Sequence, residues 1–251
     1  MGDVAVFRST MRTIGIIGGM SWESSAAYYD IINREVSRRL GGDNSARVIL
    51  TSTNFADVTR WHRKGDWKSV EHEVTHLAQG LERAGADCWL IACVTQHEVA
   101  DAAAERVAIP LIHVADVTGE AIKATGVDSV GLLGTRFTME REFFTGRLRR
   151  HFGQDVVLPS KADREYLHRT IFEEFALGVF KPETRAEYVR IINDLVTRGA
   201  QGVILGCTEI SLLVRQEDTP AIPLFDSTKL HALAAVEFSL ATGTRLTAAA
   251  G

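Results

Sequence analysis

Apolar positions fall into short runs separated by longer stretches with helical spacing. The runs occupy residues 13–18, 48–50, 88–92, 111–114, 130–134, 156–158, 203–206 and 224–225. Each is strand-sized, nearly continuous and bounded by Gly or Pro, the pattern of a strand buried on both faces of a parallel sheet. Between them, Tyr28, Tyr29, Ile32, Val36 and Leu40 form one helical stripe. Residues 76–83 and 188–198 form others and run into Gly85 and Gly199, a common way to stop a helix. Strands that alternate with helices predict βαβ units and an α/β fold.

The pattern repeats. Residues 85–93 (GADCWLIAC) parallel 199–207 (GAQGVILGC), so Cys207 follows Cys93 by 114 residues. Residues 14–19 (IGIIGG) parallel 130–135 (VGLLGT), at an offset of 116 between Gly15 and Gly131. The Ile-Pro-Leu at 109–111 returns at 222–224, an offset of 113. That period is too long for a solenoid. It predicts two similar halves of about four parallel strands each, flanked by helices. Each Cys then falls at the carboxyl end of its half's third strand, where open α/β sheets place ligands. Halves related by a pseudo-two-fold axis bring Cys93 and Cys207 to one interdomain cleft, a favoured place for a ligand site.

Composition narrows the function. The 251 residues are 45% hydrophobic and 24% charged, within the range of ordinary globular proteins. A net charge of −4, without a basic run, argues against nucleic acid as a partner. The apolar runs are far shorter than the roughly 20 residues of a membrane span. Residues 1–10 lack a signal pattern and read as an extension. Three cysteines, an odd number with no CxxC pair, suit neither a disulfide framework nor a structural zinc site; unpaired thiols point to the cytoplasm. Cys88, among Trp89, Leu90 and Ile91, reads as a small buried hydrophobe.

Cys93 and Cys207 carry the candidate chemistry. Each opens a turn from strand to helix, Cys93 through Val94, Thr95, Gln96 and His97, Cys207 through Thr208, Glu209 and Ile210. Backbone N–H groups in such a turn stabilise a thiolate or hold a substrate carboxylate. Two thiols on opposite sides of one carbon permit stereoinversion: one thiolate removes a proton and the other thiol returns one. A nucleophilic Cys93–His97 pair and two inert buried cysteines are the competing readings. The Gly-rich loop at 18–23 (GGMSWE) lacks the GxGxxG dinucleotide pattern. It allows close backbone approach to a small anion, or simply turns the chain with Ser21 or Ser24 as helix cap.

With GGMSWESSAAYY (18–29), CVTQH (93–97), LGTRFTM (133–139), IFEEFALGVF (171–180) and GCTEI (206–210) in view, the chain resembles the aspartate/glutamate racemase family. The resemblance runs from Arg12 to about Leu240. It implies a two-domain fold, Cys93 and Cys207 as the catalytic pair, no cofactor, no metal, an amino acid as the small-molecule substrate, and a homodimer. It also implies that the helices starting near 115 and 227 each pack on the opposite half. The domains would then comprise 11–114 with 227–251, and 115–226. The substrate-binding set it implies is Gly19, Met20, Asn54, His62, Val94, Thr95, Tyr166, Thr208 and Glu209.

Three positions depart from the family pattern. Val94 stands where the family carries Asn, His62 where it carries Arg or Gln, and Tyr166 where it carries a substrate-gripping Lys; Lys161 and Arg164 are the nearby cations that would compensate. Losing the Lys and the Asn removes roughly 2–4 kcal/mol of dicarboxylate recognition. The expected function is a PLP-independent amino-acid racemase. Two alternatives stand beside it: a related isomerase or decarboxylase acting on a carboxylic acid through the same cysteines, and a non-catalytic small-molecule binding protein.

Overall fold

The computed structural model describes residues 11–241. The first half runs β1 (Ile14–Gly18), α1 (Trp22–Leu40), β2 (Val48–Ser52), α2 (Phe55–Lys64), α3 (Trp67–Arg83), β3 (Cys88–Ile91), α4 (Ala100–Ala104) and α5 (Val114–Ala124). The second runs β4 (Ser129–Gly134), α6 (Arg136–Glu140), α7 (Thr145–Phe152), β5 (Asp155–Val157), α8 (Lys161–Glu173), α9 (Pro182–Thr197), β6 (Gly202–Gly206), α10 (Ile210–Leu213), β7 (Leu224–Asp226) and α11 (Ser227–Leu240).

All strand pairs are parallel, in two sheets ordered β2-β1-β3 and β5-β4-β6-β7. The duplication is visible in the register. Ile14 pairs with Cys88 and Ile17 with Ile91 in the first sheet; Val130 pairs with Gly202 and Gly134 with Gly206 in the second. The first sheet has three strands rather than the expected four. Its fourth run is reduced to a bridge between Trp89 and Leu111, with bonds from Trp89 N–H to the Pro110 carbonyl (3.0 Å) and from Ile112 N–H to the Trp89 carbonyl (2.9 Å). Pro110 has no N–H to extend the ladder, and His113 already caps α5 by accepting from Ala115 N–H.

The helical stripes are real but narrower than their spacing predicts. Tyr28, Ile32 and Val36 of α1 are buried, whereas Tyr29 and Leu40 flank the stripe and stay about half exposed, at 51% and 48%. Helix α3 stops before Gly85 and α9 before Gly199, and both glycines have positive φ (90° and 100°).

Packing interleaves the two halves. Ala232, Ala235 and Val236 of α11 belong to the apolar cluster of Ile14, Ile16, Tyr28 and Leu90 on the first sheet. Val114, Ala115 and Ile122 of α5 belong to the cluster built on β4 and β6. Full burial of Val114, Ile122 and Val236 contributes about 1.5–3 kcal/mol each, so the exchanged helices hold the halves together. Cys88 is fully buried in β3, and burial pushes its thiol up to about 12. Among the described residues, no helix is long and apolar enough to cross a membrane.

Candidate active site

The carboxyl ends of β1, β3, β4 and β6 converge on one narrow cavity. Cys93, two residues beyond β3, and Cys207, directly beyond β6, both line it. Each belongs to a different half, and each is only partly buried. The turns that follow are tighter than expected. Thr95–Val99 is a 3-10 turn, and the helix after Cys207 is only Ile210–Leu213. The local amides, not a long helix dipole, therefore act on the sulfurs. Those of Gln96 and Thr95 reach Cys93, and that of Glu209 reaches Cys207.

Electrostatics divide the pair. Burial pushes the Cys93 thiol up to about 12, partly offset by the Gln96 and Thr95 amides. Burial also pushes Cys207 well up, and the charge and hydrogen bond of Glu209 add to it. The Cys207 thiol donates to Glu209 Oε2 at 2.9 Å, while Ser21 and Ser24 donate to Oε1 at 2.8 and 2.9 Å. Glu209, buried to 7% exposure, is thus a bridge between halves with a thiol on one oxygen.

A pseudo-symmetric counterpart exists. Ser21 caps α1 and Thr135 caps α6, with Ser24 and Thr138 supplying the bonded amides. Thr135 and Thr138 lie 114 residues beyond Ser21 and Ser24, the spacing of the two cysteines. Thr95, two residues after Cys93, meets Thr135 Oγ1 at 2.9 Å, as Glu209, two after Cys207, meets Ser21. Each cysteine loop is therefore clasped to the helix cap of the other half. The symmetry breaks at one chemical point: the clasp beside Cys207 is a carboxylate, and the one beside Cys93 is a hydroxyl.

Of the residues implied by resemblance, Met20, His62, Val94, Thr95, Thr208 and Glu209 line the cavity with the cysteines. Thr208 Oγ1 accepts from Thr228 Oγ1 at 3.2 Å, which ties its loop to α11. Gly19 and Asn54 line a neighbouring recess instead. Gly19 has φ +88°, and a Cβ there would stand 2.1 Å from the Thr53 carbonyl oxygen. Asn54 spends its side chain capping α2 through Ala56 N–H.

Tyr166 lines neither space. Its ring packs beside Tyr188 and under the Arg169 guanidinium, and α8 reaches the cavity through Ile171 and Phe172. Lys161 and Arg164 do not compensate, because Lys161 is exposed and Arg164 bonds Glu140 (2.8 Å) and the Pro159 carbonyl (2.7 Å). His97 is not paired with the Cys93 thiol. Its Nδ1 meets the Cys93 carbonyl at 3.0 Å and its Nε2 accepts from Val114 N–H at 3.4 Å, which makes it an orienting group.

Sequence reasoning did not assign Ser21, Ser24, Gln96, Thr135, Ile171 and Phe172 to the cavity. The repeat carried a signal for Thr135, which follows β4 as the Gly-rich loop follows β1. No signal singled out Gln96.

A model of the family described as Asp/Glu/hydantoin racemase matches residues 17–235. The chain belongs to that family. Among solved structures, it is similar to a candidate Asp/Glu racemase from Yersinia pestis, at 43% identity and TM-score 0.86, covering 92% of this chain and all of that one. It is similar to an aspartate racemase homologue from Pyrococcus horikoshii, at 35% identity and TM-score 0.78, covering 91% and 99%. The fold also matches an aspartate racemase from Picrophilus torridus, at 20% identity and TM-score 0.72, covering 91% and 94%. Membership identifies a two-domain α/β racemase scaffold.

Proposed function

We propose that the protein is an amino-acid racemase that inverts Cα between Cys93 and Cys207 without pyridoxal phosphate. The observation that carries this reading is the position of the two sulfurs. They occupy equivalent points of a duplicated half and line one cavity.

In one direction, the Cys207 thiol passes its proton to Glu209 Oε2, and the resulting thiolate takes the Cα proton. The C–H electron pair stays on the substrate as a carbanion conjugated with its carboxylate. The Cys93 thiol then protonates Cα from the other side, and its thiolate is held by the amides of Thr95 and Gln96. The proton on Glu209 remains next to Cys207, so the reverse direction begins from Cys93 thiolate. Every proton removed is accounted for by a group in the cavity. Among the described residues no lysine lines the cavity, which supports chemistry without a pyridoxal Schiff base.

The substrate's α-carboxylate fits the amides and hydroxyls of the cysteine loops, Thr95 and Thr208 among them. We place the enzyme in the cytoplasm, as its three free thiols suggest, and in a homodimer by likeness to its family.

The test is enantiomer interconversion followed by chiral chromatography. Cys93→Ala and Cys207→Ala each abolish interconversion while retaining the wild-type unfolding temperature within a few degrees. Inversion at near wild-type rate in either variant refutes the pair.

A further inference from the structure

Among the described residues, the cavity is lined by one fixed ionisable carboxylate, Glu209, and by no Arg or Lys. Its other ionisable groups are the two thiols and His62, which burial holds down to about 4 and so keeps neutral at physiological pH. Away from the hydroxyls of the two cysteine loops and their caps, the wall is apolar: Met20, Phe55, Val58, Val94, Ile171 and Phe172. The fixed cations stop outside the lining; Arg141, whose charge acts on His62, lies over Trp67 and is paired with Glu98 at 2.6 Å. Arg63, Lys64, Arg136 and Arg169 line an outer vestibule, which meets the inner cavity only at Phe55, His62, Phe172 and Ala176.

A Gln96–His62 pair interrupts the apolar part of the wall. Gln96 Nε2 lies 3.1 Å from His62 Nε2, while Gln96 Oε1 and His62 Nδ1 are buried without a partner. If the amide donates to the ring, His62 Nδ1–H is left as a free donor and Gln96 Oε1 as a free acceptor. If the amide is flipped and the ring donates, the free donor is the amide and the free acceptor is Nδ1. Either way the pair keeps one donor and one acceptor unpartnered, and carries no charge.

We propose that the substrate is an α-amino acid with an uncharged side chain, seated against Val94, Ile171 and Phe172 beside the neutral Gln96–His62 pair. This rests on the racemase reading of the site. A side-chain carboxylate would be buried without a cation and in the same cavity as Glu209, at a cost of several kcal/mol. An apolar or neutral polar side chain meets no such penalty.

The experiment is Cα–H exchange in deuterium oxide, followed by proton NMR, for aspartate, glutamate, methionine, glutamine and homoserine with wild-type protein and reductant. We expect one or more of the uncharged three to exchange at least tenfold faster in kcat/KM than either acid. Faster exchange of aspartate or glutamate overturns the inference and leaves the racemase standing. No exchange for any of the five overturns the racemase reading and the inference with it. H62R, which puts a cation at the collar, should move the acid-to-neutral ratio at least tenfold towards the acids; an unmoved ratio in the folded variant removes this pair from the side-chain subsite.

Discussion

Glu209→Gln separates a proton-accepting role from a packing role. The amide is nearly isosteric, and its oxygen still accepts from Ser21 and Ser24. Those two bonds change from charge-assisted to neutral, a loss of about 1–3 kcal/mol of stability in total. On the Cys207 side the change is qualitative, because an N–H now faces a thiol that had been donating at 2.9 Å. Two consequences follow with opposite signs. Turnover loses its local proton acceptor, and general acid–base groups of this kind are worth about 10²–10⁴-fold. We expect kcat/KM to fall about 10²–10³-fold, which corresponds to roughly 3–4 kcal/mol of barrier. The Cys207 thiol, by contrast, loses both the charge and the hydrogen bond through which Glu209 raises it. Its thiolate becomes easier to form, so alkylation by iodoacetamide at neutral pH, read on the Cys207 peptide by mass spectrometry, should speed up. Slower catalysis with a more reactive nucleophile is a combination that a loosened fold does not produce at Cys207 alone. Near wild-type turnover in the variant, or unchanged alkylation at Cys207, refutes the role given to Glu209.

Acid should unfold the protein earlier than its carboxylates alone require. His97, His113 and His231 are buried, with His113 and His231 each packed edge-on against His97, and burial depresses all three, His113 to about 2 and His231 to about 4. Folded values below the unfolded value of about 6.5 mean that stability is intact above pH 6.5 and is lost as pH falls. His231 alone accounts for about 3 kcal/mol between pH 6.5 and 4. Chemical denaturation across that range should show a steep decline; a flat profile contradicts it. Gly19→Ala should lower the unfolding temperature by several degrees, because its φ of +88° and the Thr53 carbonyl 2.1 Å from a Cβ leave no room to relax. An unchanged transition in calorimetry contradicts that.

The repeat made the duplicated sheets and the two cysteine positions legible, because strand ends marked by Gly and Cys recur at nearly one offset. Strand content was less legible. The run at 111–114 has the composition of a strand, yet Pro110 and the His113 cap leave it one bridge. Helical spacing placed Tyr28, Ile32 and Val36 correctly but could not show that Tyr29 and Leu40 lie at the edge of the buried stripe. The site was legible only where chemistry and strand ends coincide. Val94 and His62 reach the cavity, but a position matched to a substrate-gripping lysine, Tyr166, packs against the second half's core beside Tyr188 instead, since one residue along a helix rotates the side chain by about 100°. Glu209 was read as a substrate contact; its bond to the neighbouring thiol depends on a rotamer fixed by Ser21 and Ser24 from the far half of the chain. Contacts across so many residues leave no local trace in a sequence.

The measurement that bears most directly on two-thiol inversion is where deuterium first appears during a one-way reaction in deuterium oxide. An enantiopure substrate is followed at under a tenth of conversion, and substrate and product are separated and weighed by mass spectrometry. Separate bases on the two sides of Cα predict that each product molecule carries one deuterium at Cα while the unreacted enantiomer keeps its proton. Deuterium appearing equally in both, or a product that retains the original proton, would contradict the account.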